Sequence, residues 1–113
     1  MRPDPVERIA VDPALRELAV DYLENCRRTV GDLRSALSGG DVATLVSVGH
    51  KLRGSGGAYG LAPISDIGGR IEDAANKGDV GALRSAGDAF AGYVSRGAIA
   101  DASTSRRNRD FKA

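Results

Sequence analysis

Apolar residues recur through this chain at helical spacing, and short glycine-bearing breaks cut the pattern into four segments. In the first, Leu15, Leu18, Tyr22, Cys26, Val30, Leu33 and Leu37 follow in steps of 3, 4, 4, 4, 3 and 4. That rhythm keeps one stripe of an α-helix apolar over about seven turns. Asp12-Pro13 opens the segment: aspartate accepts from orphan N–H groups, and proline suits the first turn. Ser38-Gly39-Gly40 closes it. Asp41 caps the second segment, whose apolar positions are Val42, Leu45, Val48, Leu52 and Tyr59, fading near Gly60-Leu61. Pro63 opens the third, marked by Ile64, Ile67, Ile71 and Ala74 and ended by Asn76-Lys77-Gly78. Asp79 caps the fourth, with Val80, Leu83, Gly87, Phe90 and Val94, and Gly97 stops it. No stretch alternates with period two, so no strands are expected. Short links force neighbouring helices to run in opposite directions. The expected fold is therefore all-α: an antiparallel up-and-down four-helix bundle. Residues 1–11 form a short N-terminal arm, 12–97 the bundle and 98–113 a basic C-terminal tail.

Composition narrows the function classes. The chain has 113 residues, one domain's worth. Its single cysteine, Cys26, excludes an internal disulfide framework and any multi-cysteine zinc site. Cys26 falls on the apolar seam, so a reactive thiol is not expected. No apolar stretch approaches the roughly 20 residues of a membrane span, and the N-terminus has no signal-peptide core. A cytoplasmic protein with a reduced thiol is expected. Residues 1–100 carry 12 basic against 13 acidic side chains, while residues 101–113 carry four against two. The near-neutral body has no field to recruit nucleic acid, and the Arg106-Arg107-Asn108-Arg109 run is short and isolated. All four seams can be buried within one chain, so a monomer is expected.

Glycine is in excess, and its placement matters more than its number. Seven of the 15 glycines fall within residues 49–69, around the one histidine and the helix that follows it. On the second helix, His50 lies roughly 150° from the centre of the apolar seam. It is thus expected exposed, at mid-helix, on a stiff support. Its helical neighbours are Val46 and Ser47 before it, and Arg53, Gly54 and Gly57 after it. Arg53 is better placed than Lys51 to touch a group on His50, because adjacent residues do not face each other. Gly54, Gly56 and Gly57 each cost the helix roughly 0.8–1 kcal/mol against alanine. Glycine there signals close approach of another backbone. On the core side, Gly49 and Gly56 would admit a neighbouring helix; on the His50 side, Gly54 and Gly57 would admit a partner protein. Gly60 is read as a further packing position, Tyr59 as core or half-core, and Ser55 as bonding back to the Lys51 carbonyl.

The stretch from His50 to Leu61, His-Lys-Leu-Arg-Gly-Ser-Gly-Gly-Ala-Tyr-Gly-Leu, resembles the signature of histidine-containing phosphotransfer domains. That signature has an apolar residue two places after the histidine, Lys or Arg at three, Gly at four, then small residues, and Gly at ten. Ile71-Glu72 and Lys77-Gly78-Asp79 are similar to the family's third-helix ending. The resemblance spans roughly residues 12–96 and implies a phosphorelay intermediate. His50 would be the phosphoacceptor, taking a phosphoryl group from a receiver-domain aspartate and passing it to a second one. Arg53 would help hold phosphate, and Gly54 would let the receiver approach, with Lys51, Gly57, Ser47 and Val46 around them. Arg53 stands where lysine is commoner, keeping the charge but changing its geometry. The implied partners are the receiver domains of a hybrid histidine kinase and of a response regulator. Magnesium is expected in the receiver, and no cofactor in this chain. An exposed imidazole is largely neutral at pH 7 and offers a lone pair to phosphorus. No glycine loop followed by Lys-Ser/Thr is present, so the chain is expected to be a phosphocarrier without its own ATP site. It opens on Met1 and its motifs fill one bundle, so a stand-alone carrier is expected. A receiver-binding adaptor without chemistry is the alternative reading.

Overall fold

A computed structural model describes residues 6–100. The elements in order are β1 (Glu7–Ile9), a 3-10 turn (Pro13–Leu15), α1 (Arg16–Gly39), α2 (Val42–Ser55), a second 3-10 turn (Gly57–Tyr59), α3 (Ala62–Lys77), α4 (Val80–Arg96) and β2 (Gly97–Ile99). Helix α1 packs on α2, α2 on α3, α3 on α4 and α4 on α1, closing a ring around one core. No described helix is long and apolar enough to cross a membrane.

The helix boundaries follow their capping residues. Asp12 accepts from the Ala14 N–H, with Pro13 opening the 3-10 turn that leads into α1. Asp41 takes the Thr44 N–H at 3.1 Å and the Thr44 hydroxyl at 2.6 Å. These two bonds, the hydroxyl's first, hold its carboxyl below the usual carboxylate range. Asp79 takes the Ala82 N–H at 3.0 Å. Gly40 and Gly78 end α1 and α3 at φ +66° and +70°, a left-handed turn that glycine enters without a Cβ clash.

The core is made by Leu23, Cys26 and Leu33 of α1, Leu45 and Leu52 of α2, Ile64, Ile67 and Ile71 of α3, and Leu83, Phe90 and Val94 of α4. Burial pushes the Cys26 thiol from 9.0 up to about 11, as an inert seam cysteine should show. The buried stripe of α1 differs from the expected one. It runs through Ala19, Leu23, Cys26, Leu33 and Ala36, while Leu18 is 54% exposed. Reading large apolar side chains as the seam passed over the small alanines that allow α1 to pack closely. Val42 and Val80 are also exposed: they occupy the first turns of α2 and α4, at the bundle's rim.

The strands are a second departure. β1 and β2 pair in parallel, Arg8 opposite Ala98 and Ile9 opposite Ile99. Each has three residues, too short to show period-two patterning, and the partners are far apart in sequence. The pairing draws residues from both stretches expected to lie outside the bundle. Ile99 is buried at 4% exposure, so the start of the expected tail belongs to the core. Arg106, Arg107 and Arg109 lie outside the described residues.

Candidate functional site

His50 stands on the third turn of α2 with its side chain 74% exposed. Helix α3 passes beside it at backbone distance, because the contact is built on glycine. A Cβ on Gly49 would lie 2.6 Å from the Glu72 backbone nitrogen and 2.9 Å from the Gly68 carbonyl oxygen. One on Gly68 would lie 2.5 Å from the Arg53 nitrogen, and one on Gly56 2.7 Å from the Ser65 nitrogen. Any side chain at these places forces the helices apart. The expectation that Gly49 and Gly56 admit a neighbouring helix thus describes the α2–α3 contact.

That close approach brings Glu72 to the histidine. Its side chain is only 15% exposed, and its two oxygens divide between two partners. Oε2 lies 3.1 Å from His50 Nδ1, and Oε1 lies 3.3 Å from an Arg53 guanidinium nitrogen. A carboxylate oxygen accepts, so Nδ1 carries the proton and donates. The imidazole lone pair is then on Nε2, the other ring nitrogen.

The sequence-predicted residues fall into three groups. Arg53 joins His50 through Glu72. Ser47, Lys51 and Gly54 are exposed on the same helix, and a Cβ on Gly54 would meet nothing within 4 Å. Val46 is half-buried and packs against the core, so it presents little to a partner. Gly57 is exposed, but it lies past the end of α2, where its N–H donates to Ser65 Oγ at 2.8 Å. Gly60 does not admit a neighbouring helix as expected: it sits at φ +81° and ends the 3-10 turn, where a Cβ would lie 3.1 Å from a Val11 side-chain carbon of the N-terminal segment.

The glycine-rich end of α2 is braced from α1. Ser55 Oγ donates to the Lys51 carbonyl at 2.7 Å, so its one proton is committed. Tyr22 therefore donates to Ser55 Oγ, at 2.6 Å. Burial is the main cause pushing the Tyr22 hydroxyl from 10.0 up to about 12, which keeps it a donor. The Tyr22 and Tyr59 rings stack at 4.7 Å, a contact worth about 0.5–1.5 kcal/mol beyond its buried area.

Glu72 is the candidate-site residue that motif reading did not place beside His50. It lies 22 residues from His50, and only the register of α3 against α2 joins them. Its signal was the glycine at position 49, which marks where another backbone comes close. Among the described residues, no three His, Cys, Asp or Glu side chains gather to hold an ion.

Neither the curated proteins nor the solved structures compared with the chain match it. The family model of the Hpt domain matches residues 17–103, which takes in the histidine and all four helices but for the first residue of α1. A helical bundle carrying an exposed, carboxylate-braced histidine on its second helix therefore belongs to the Hpt domain family, whose members act in histidine phosphotransfer.

Proposed function

We propose that this protein carries a phosphoryl group between receiver domains of a multistep phosphorelay, with His50 Nε2 as the accepting atom. The observation that supports this most is the His50–Glu72 contact, which leaves the exposed ring with its lone pair on the nitrogen away from the bundle. The helices are joined by two-residue links at Gly40-Asp41 and Gly78-Asp79, which favours an up-and-down antiparallel path. On that path His50 projects sideways from the bundle and is open to a docking protein.

The step balances without a proton acceptor. Nε2 attacks the phosphorus of a receiver's phosphoaspartate, the P–N bond forms, and the P–O bond to aspartate breaks. The aspartate carboxylate leaves with the electron pair. Nδ1 keeps its proton throughout, so the product ring is cationic, and Glu72 faces that charge directly. Reversal on a second receiver follows the same path: the ring leaves with the bond electrons as neutral imidazole. Phosphoryl transfer depends mainly on positioning and charge stabilisation. This chain supplies the nucleophile, its tautomer and a docking face opened by Gly54. The receiver supplies the magnesium ion that offsets phosphoryl charge. The two receivers are read as those of a hybrid histidine kinase and of a response regulator, and transfer can run either way between them.

The test is incubation with a radiolabelled phosphoreceiver. Acid-labile, base-stable label is expected on the wild-type chain and none on His50→Ala. Label that survives His50→Ala would contradict the reading. Receiver binding with no label would favour an adaptor without chemistry.

A further inference from the structure

Two grooves between the helices differ in charge. Between α3 and α4, two cations, Arg70 and Lys77, share the lining with two carboxylates, Asp73 and Asp79. Between α1 and α4, a groove of about 410 Å³ is lined by Arg27, Val30, Arg34, Ala91, Val94 and Ser95, with no carboxylate among the described residues. We propose that this second groove docks an acidic amphipathic helix of a partner protein, on the side of the bundle away from His50.

The floor of the groove is apolar: Val94 is 2% exposed, and Val30 and Ala91 are half-buried. The two cations stand on α1, two turns apart, about 10 Å along its axis. Arg27 donates to Glu24 at 3.1 Å with one guanidinium nitrogen and to the Gly97 carbonyl at 3.4 Å with another. Arg34 is exposed, and among the described residues no carboxylate pairs with it. An apolar floor beside an unanswered guanidinium matches the edge of an amphipathic helix, where apolar and acidic residues meet.

Gly31 is an independent sign. It lies one turn from both arginines, exposed, and a Cβ there would meet nothing within 4 Å. Glycine weakens a helix interior against alanine, and among the described residues no neighbour requires it. A backbone approaching from outside would. Ala91 and Ser95 keep the α4 wall of the groove equally low.

Charge chooses among the occupants. Residues 101–113 carry four basic against two acidic side chains, so the groove repels the chain's own tail. A second copy docked symmetrically would set the same arginines against each other. An acidic helix meets Arg34 with one carboxylate and the spare donors of Arg27 with another, seven residues along. The α1–α4 contact lies across the ring from α2–α3, so such a helix leaves His50 open.

The test is a titration of the full chain, followed by nitrogen-15 NMR, with a helix-forming peptide of about 18 residues. The peptide carries two glutamates seven residues apart with leucines between them. Shifts are expected at Val30, Gly31, Ala91 and Ser95 and none at His50. Arg34→Gln should weaken binding about fivefold, the share of one exposed ion pair. Gly31→Gln should weaken it at least as much while raising the melting temperature by roughly 2–5 °C, which separates loss of docking from loss of fold. No shifts in the groove, or equal binding of a peptide with lysine for glutamate, would overturn the proposal. Shifts that grow with protein concentration alone would give the groove to a second copy, and peptide-induced shifts in residues 101–113 would give it to the tail; either result overturns it too.

Discussion

The two sides of this bundle are packed in different ways. Where α1 meets α4, side chains fill the space: Leu33, Phe90 and Val94 are buried, and a Cβ on Gly87 would meet only Leu37 and Leu33 side-chain carbons at 3.4 and 3.6 Å. Where α2 meets α3, backbone lies on backbone, through Gly49, Gly56 and Gly68. Side-chain packing can be rearranged by rotamer changes, so it stores stability without fixing one geometry tightly. Backbone packing has no such slack. It sets how closely α3 carries Glu72 to His50, so the proposed site is built where the packing leaves least room for adjustment.

Substitutions on the two sides should therefore separate stability from phosphoryl acceptance. Phe90→Ala is the largest expected loss of stability, about 3–5 kcal/mol, measured by denaturant titration. Because it leaves α2 against α3, the folded fraction should still accept a phosphoryl group. Gly68→Ala should cost less stability, about 1–3 kcal/mol from overpacking. It should nevertheless slow loading of His50 far more per folded molecule, since the new Cβ forces α3 away from Arg53. If the two variants lost acceptance in proportion to their folded fractions, the division between the sides would fail.

These expectations also show what could be read from the sequence. The four helices, the aspartate caps of α2, of α4 and of the turn that leads into α1, and the outward histidine follow from local rules, because capping and helical period act within a few residues. Glu72 does not: its place depends on how α2 and α3 lie against each other, which no window of residues contains. The β1–β2 pair was hidden for the same reason, each strand having meaning only beside a partner from the other end of the chain. Leu18 misled because size was taken for burial, while Ala19 and Ala36 are the residues that let α1 sit close.

Smaller effects sharpen the contrast. Asp79→Ala should cost about 1 kcal/mol through loss of the α4 cap, with no change in loading rate, since α4 takes no part in the site. Gly54→Ala should leave the fold intact or stabilise it by up to about 1 kcal/mol, as nothing crowds that position. Receiver affinity should fall, because the methyl group would stand on the proposed docking face.

Alkaline pH probes the braced end of α2. Burial raises Cys26 from 9.0 to about 11 and Tyr22 from 10.0 to about 12. Between these limits the unfolded chain loses protons that the folded chain keeps, so stability falls as pH rises. The melting temperature should be insensitive to these two groups below pH 9 and should decline from there towards pH 12. Cys26→Ala should remove the earlier part of the decline, although its baseline is lower.

On the proposed mechanism, Glu72 fixes the histidine tautomer so that Nε2 receives the phosphoryl group. Nitrogen-15 and phosphorus-31 NMR of the phosphoramidate-loaded chain tests it most directly. Phosphorus coupled to Nε2 of His50 is expected, with a proton on Nδ1 that becomes exchange-labile in Glu72→Gln. Phosphorus coupled to Nδ1, or a wild-type imidazole that takes no phosphoryl group, would contradict it.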